Sequence, residues 1–132
     1  MTPARRSDRV TLFVDHVTHI DCGVLDNARG LCGATWLVDV ALTGTRDAQG
    51  MLFDFGPAKK LLKAEIDALV DHRLLVPTAA EGVSCHGKTI ELVTATGDRY
   101  VYTGPASAVA HLDCECITPG FLADWLGARV AA

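Results

Sequence analysis

The side chains able to do chemistry near neutral pH fall in a few places along the chain. His16, His19, Cys22 and Cys32 are all competent zinc-ligand types within one stretch. His16 and His19 are an odd number of residues apart, so a strand through both sends their rings to opposite faces, which counts against a shared metal site. Asp71-His72 sets a carboxylate beside a base that titrates near neutrality. At the end of a helical pattern, its plain reading is a histidine paired with the negative end of the helix dipole. His86 and His111 stand in no motif. The five cysteines (Cys22, Cys32, Cys85, Cys114 and Cys116) are odd in number and irregularly spaced, which suits reduced thiols better than a disulfide framework. No CxxC pair is present, and Cys114-Glu115-Cys116 reads as buried thiols beside a helix start.

The elements that must position these groups follow from periodicity. Val10 to Ile20 alternates in type, but both of its faces carry apolar groups, as in a strand covered on both sides; Val10, Leu12, Val14 and His16 fall on one of them. Thr35 to Leu42 alternates more cleanly, with Trp36, Val38, Val40 and Leu42 on one face, and Thr43-Gly44 marks its end. Between the two, Asp21 to Gly33 holds Gly23, Gly30 and Gly33 and reads as a loop. A helix follows Pro57, with Ala58, Leu61, Leu62, Ile66, Leu69 and Val70 on its apolar face and Lys59, Lys60 and Lys63 on its solvated one. Glu81 to Gly104 reads as a hairpin turning at Thr96-Gly97-Asp98. Pro119 to Val130 reads as a second helix, with Thr118 as its N-cap.

Composition narrows the function classes. A chain of 132 residues, 49% hydrophobic and 21% charged, is the size of one domain over 1–132 with one core. A net charge of -4 argues against nucleic-acid binding, which needs clustered Lys and Arg. The only basic cluster, Arg5, Arg6 and Arg9, reads as a solvated N-terminal tail. The apolar runs fall far short of a membrane span and the first residues lack a secretory pattern, so a cytoplasmic location is expected.

Two motifs carry a family resemblance. Gly50-Met51-Leu52-Phe53-Asp54-Phe55-Gly56, followed by Lys59 and Lys60, resembles the lead-in to the first helix of the 6-pyruvoyl- and 6-carboxy-tetrahydropterin synthases. Val70-Asp71-His72-Arg73-Leu74-Leu75 is similar to the Leu-Asp-His segment at the end of that helix. The resemblance covers roughly Val10 to Pro77, with a weaker echo at Thr118 to Leu126. It implies an α+β tunnelling fold, an antiparallel β-sheet with two helices packed on one face, the sheet being extended edge to edge by oligomerisation into a barrel. It also implies chemistry on dihydroneopterin triphosphate, in pathways to biopterin or queuosine, with a zinc ion on three histidines and an Asp-His pair that moves protons. Asp71 and His72 match that pair. Thr118 matches the threonine of the family's pterin-anchoring Pro-Thr-x-Glu segment, whose glutamate falls on Gly120 here, with Glu115 close by.

The zinc ligands do not match. The family's His-Gly-His aligns with Cys32-Gly33-Ala34, and its third ligand aligns with Gly23. The cysteine expected a few residues before His-Gly-His is missing between Leu25 and Arg29. No cofactor is therefore expected from this chain, unless His16, His19, Cys22 and Cys32 form a substitute site. The chain reaches Ala132 just after its last helix, where the family continues with a further strand pair. These departures resemble the zinc-less N-terminal half of tandem versions of the family. The implied role is structural or substrate-binding, with partners that are further copies or a zinc-bearing half, and a pterin-type small molecule; the alternative is an active lyase.

Overall fold

Two long stretches of strand-forming residues, then a helix-period stretch, set the element order. The computed structural model describes residues 9–45 and 55–130. The Gly50 to Asp54 part of the motif, and Arg5 and Arg6, lie outside them. Strands β1 (Arg9–Asp26) and β2 (Gly30–Thr45) form a long antiparallel hairpin. Then come α1 (Phe55–Val70), β3 (Leu74–Pro77), β4 (Val83–His86), β5 (Thr89–Val93), β6 (Arg99–Thr103), β7 (Val109–Leu112) and α2 (Pro119–Val130). Helix α1 starts at Phe55, so Pro57 lies inside its first turn, where a missing N–H costs nothing.

The stretch read as a loop from Asp21 to Gly33 is the far end of the hairpin, paired up to Asp26 and Gly30. The connection is only Asn27–Arg29. The Asp26 carboxylate shapes it by accepting from the N–H groups of Ala28 (2.7 Å) and Arg29 (3.2 Å). Glycine weakens an isolated strand, but Gly23 and Gly33 pair with each other inside a continuous ladder, which holds them extended.

The single face read through Val10, Leu12, Val14 and His16 is also broken. Val14 pairs with Val40 and Thr18 with Val38, so Asp15, His16 and Val17 bulge opposite Asp39. His16 takes a φ of 54° and donates its N–H to Asp39 Oδ1 at 2.8 Å. The bulge re-phases the strand, so that Val14 and Val17 are both buried and His16 is exposed.

The main sheet runs β2-β1-β3-β7. It is mixed rather than wholly antiparallel, because β3 returns beside β1 through α1 and lies parallel to both β1 and β7. Both helices pack on one face of it. There Val14, Ile20, Cys22 and Val24 meet Leu62, Ile66 and Val70 of α1 and Leu122 and Leu126 of α2. Leu61, read as part of the apolar face of α1, is 61% exposed, because the stripe through Leu62, Ile66 and Val70 leaves it at the margin. Thr18 ties the helix down through Asp67 Oδ1 (2.5 Å), and Lys63 joins both.

The predicted hairpin of β5 and β6 forms, and β4 extends it to a three-stranded antiparallel sheet. This sheet covers the other face of β1 and β3 at the hairpin tip, where Leu25, Val76, Ile90 and Leu92 form a second core. That explains the two apolar faces of β1. Tyr100 packs so closely over Gly30, at φ 84°, that its ring and hydroxyl leave no room for a β-carbon there. Leu75 is fully buried, so Leu75→Ala should cost about 2–5 kcal/mol in urea unfolding, whereas Val101→Ala on the exposed face should stay within about 0.5 kcal/mol.

Candidate functional site

Helix α1 ends where its chain is captured by β1. Asp71 N–H still donates to Asp67 C=O at 3.0 Å, but His72 turns into the left-handed region at φ 55° and donates to Asp21 C=O at 2.7 Å. Glycine commonly takes this position after a helix, and a side chain there costs roughly 1–2 kcal/mol. Neighbouring bonds hold it. Asp21 N–H donates to Asp71 Oδ1 at 3.0 Å, and Gly23 N–H donates to Arg73 C=O at 3.0 Å.

The same geometry aligns an acid and a base. Asp71 Oδ2 lies 2.9 Å from His72 Nδ1, which fixes the imidazole and leaves Nε2 available. The Asp21 N–H holds the Asp71 carboxyl below its usual range, helped by His72. The bond and charge of Asp71 in turn raise His72 above the ordinary 6.5. The His72 side chain is 77% exposed, so the pair is open to solvent and ligand.

His72 borders a shallow depression of about 440 Å³. Gly23 is part of its lining, Asp21 and Arg73 supply polar groups, and Leu74 and Tyr102 supply apolar ones. Asp21 also accepts from Thr35 Oγ1 at 2.8 Å, which orients its carboxylate. Asp71 and His72 are thus brought together as the sequence suggested. Thr118 and Glu115 do not line this depression. The Thr118 hydroxyl caps α2, accepting from Phe121 N–H at 3.1 Å, and Glu115 is exposed on the preceding loop.

The structure does not bring His16, His19, Cys22 and Cys32 together. His16 is exposed at the bulge, and His19 is exposed on the face turned away from the helices. Cys22 is buried beneath the helices and its thiol donates to Ala34 C=O at 3.8 Å. Burial, followed by the charges of Asp21 and Asp71, pushes that thiol up to about 11. Among the described residues no group of three His, Cys, Asp or Glu is placed to hold a metal ion.

The family's ligand positions fit a zinc ion no better. Cross-strand partners share a face, so Gly23 lies with Gly33, while Cys32 and Ala34 lie with Val24 and Cys22 on the helix face. A β-carbon on Gly23 would meet Leu74 Cδ1 at 3.3 Å and Leu31 Cδ1 at 3.7 Å, so a larger side chain there displaces leucine. Asp21 and Tyr102 were missed as lining residues. The alternation of Tyr100 and Tyr102 in β6 held a signal, since both point inward, but nothing local said onto what.

A family profile described as 6-pyruvoyl tetrahydropterin synthase matches residues 13–98. A Pyrococcus horikoshii protein named as a putative 6-carboxy-5,6,7,8-tetrahydropterin synthase is 32% identical over 99 residues, covering 75% of this chain. The chain spans 57% of that relative's length. Among solved structures, the 6-pyruvoyl tetrahydropterin synthase of Plasmodium falciparum superimposes with a TM-score of 0.74 at 14% identity, over 93% of this chain and 78% of that one. The Plasmodium vivax enzyme superimposes with a TM-score of 0.70 at 14% identity, over 92% and 80% of the two chains. At that identity the likeness establishes the shared α+β fold.

The Asp71–His72 pair has a defined pH window. Asp71, held low, contributes stability above its ordinary 3.8 that is lost as pH falls through its folded value. His72, held high, contributes stability below 6.5 that is lost as pH rises through its folded value. In an NMR titration the His72 ring should show a midpoint above 6.5, falling back in Asp71→Asn. A midpoint at or below 6.5 in the unaltered protein contradicts the pairing.

Proposed function

The chain belongs to the 6-pyruvoyl tetrahydropterin synthase family, and from that premise we propose that it is a member without a zinc centre of its own, serving as a structural or substrate-binding subunit of a pterin synthase assembly. The observation that carries this reading is the split of the ligand-aligned positions, Gly23 on one face of the hairpin and Cys32 with Ala34 on the other. None of the three is histidine, and zinc catalysis needs protein ligands that converge and leave a position open. The assembly would form in the cytoplasm from further copies or with a zinc-bearing half. The outer strands β2 and β7 are where its sheet would continue. Thr118 and Glu115 would then contact the pterin only from an adjoining subunit, since neither reaches the depression beside His72.

The second reading is an active lyase on dihydroneopterin triphosphate, and the Asp71–His72 pair favours it. An oriented imidazole with a raised proton affinity, open to a ligand at Nε2, is a competent proton-transfer group. Protein purified without an affinity tag should contain well under one zinc per chain. It should also fail to turn over dihydroneopterin triphosphate when zinc is added. Turnover that disappears in His72→Ala would overturn the zinc-less reading in favour of the lyase.

A further inference from the structure

Both inward tyrosines of β6 pack against the smaller core. Tyr100 lies on the hairpin tip at Gly30. Tyr102 stands at the other end of the strand, half-buried, and its side of β6 borders the depression beside His72 and Gly23. Its hydroxyl lies 3.5 Å from Pro105 C=O, the outer limit of a hydrogen bond, so the phenol is not tightly held there. A β-carbon at position 104 would stand 2.6 Å from that hydroxyl, so Gly104 leaves room for the ring.

The surroundings select a ligand class. The depression is shallow and open, so it would receive one face and one edge of a small ligand rather than enclose it. Tyr102 and Leu74 give an apolar flank suited to a flat ring. Asp21 uses one carboxylate oxygen for Thr35, and an ionised carboxylate has acceptor capacity to spare. That carboxylate accepts amino and ring N–H groups, while His72 and Arg73 in the same lining supply donors for a carbonyl or ring nitrogen.

We propose that Tyr102 is the stacking platform on which this depression receives a flat, amino-bearing heterocycle, with the Asp21 carboxylate accepting from its N–H groups. The inference rests on the substrate-binding form of the function proposed above and assigns it a residue outside the Asp71–His72 pair. Loss of aromatic stacking generally weakens binding by roughly 5- to 150-fold.

The chain has two tyrosines, so ring-labelled tyrosine gives a simple NMR readout. On titrating the full chain with neopterin, the Tyr102 ring signals should move saturably upfield while those of Tyr100 stay in place. Tyr102→Phe should bind neopterin within about twofold of the unaltered protein, and Tyr102→Leu about tenfold more weakly. Pterin should bind more tightly than lumazine, which carries an oxygen in place of the exocyclic amino group, and Asp21→Asn should erase that preference. Saturable neopterin binding that leaves Tyr102 unmoved would overturn the platform while sparing the substrate-binding reading. Absence of saturable neopterin binding would overturn both. If Tyr102→Leu fails to fold, the NMR shifts and Tyr102→Phe still decide.

Discussion

The splice between the end of α1 and the middle of β1 is the constraint on which the rest depends. His72 N–H to Asp21 C=O, Asp21 N–H to the Asp71 carboxylate, and Gly23 N–H to Arg73 C=O together turn a helix terminus into a strand neighbour. They stop the helix, place β3 parallel to β1, and force His72 into a backbone conformation that a side chain resists. One cluster of bonds thereby joins the sheet order to the geometry of Asp71 and His72, so the scaffold and that pair are inseparable.

Much of this was legible in the residues. The alternation of Thr35 to Leu42, the four-residue steps of Leu62, Ile66 and Val70, and the cap at Thr118 each encode a local structure, and each forms as read. The misread parts depend on distant partners. The Asp21 to Gly33 stretch carries loop composition, yet pairing across the hairpin makes it strand. The bulge at Asp15 to Val17 has no local signature, because it is fixed by Asp39 on the neighbouring strand. Of the site, Asp71-His72 was visible as a motif, whereas Asp21 and Tyr102 become its neighbours only through tertiary packing.

The sheet's two faces also explain why the described residues around the depression gather no set of metal ligands. On the helix face, Cys22 is part of the core, so its chemistry is subordinated to packing, and Cys32 lies half-buried on the same face. On the opposite face, Gly23 lies against Leu31 and Leu74 in space a metal-binding side chain would need. The carboxylates and the imidazole remain at the rim, where water keeps them ionisable.

The smaller core has a dynamic consequence. It joins the three-stranded sheet to the main one through a short set of contacts, chiefly Leu25 and Val76 with Ile90 and Leu92, while the helices hold the opposite face through a larger one. Proteins open in cooperative units whose free energies follow their buried contacts. The three-stranded sheet rests on the smaller set, joined by the bonds of Asn27 to Ala95 and Glu81. Tyr102 belongs to that sheet and His72 to the helix–sheet body, so the two walls of the depression sit on units held by different sets of contacts.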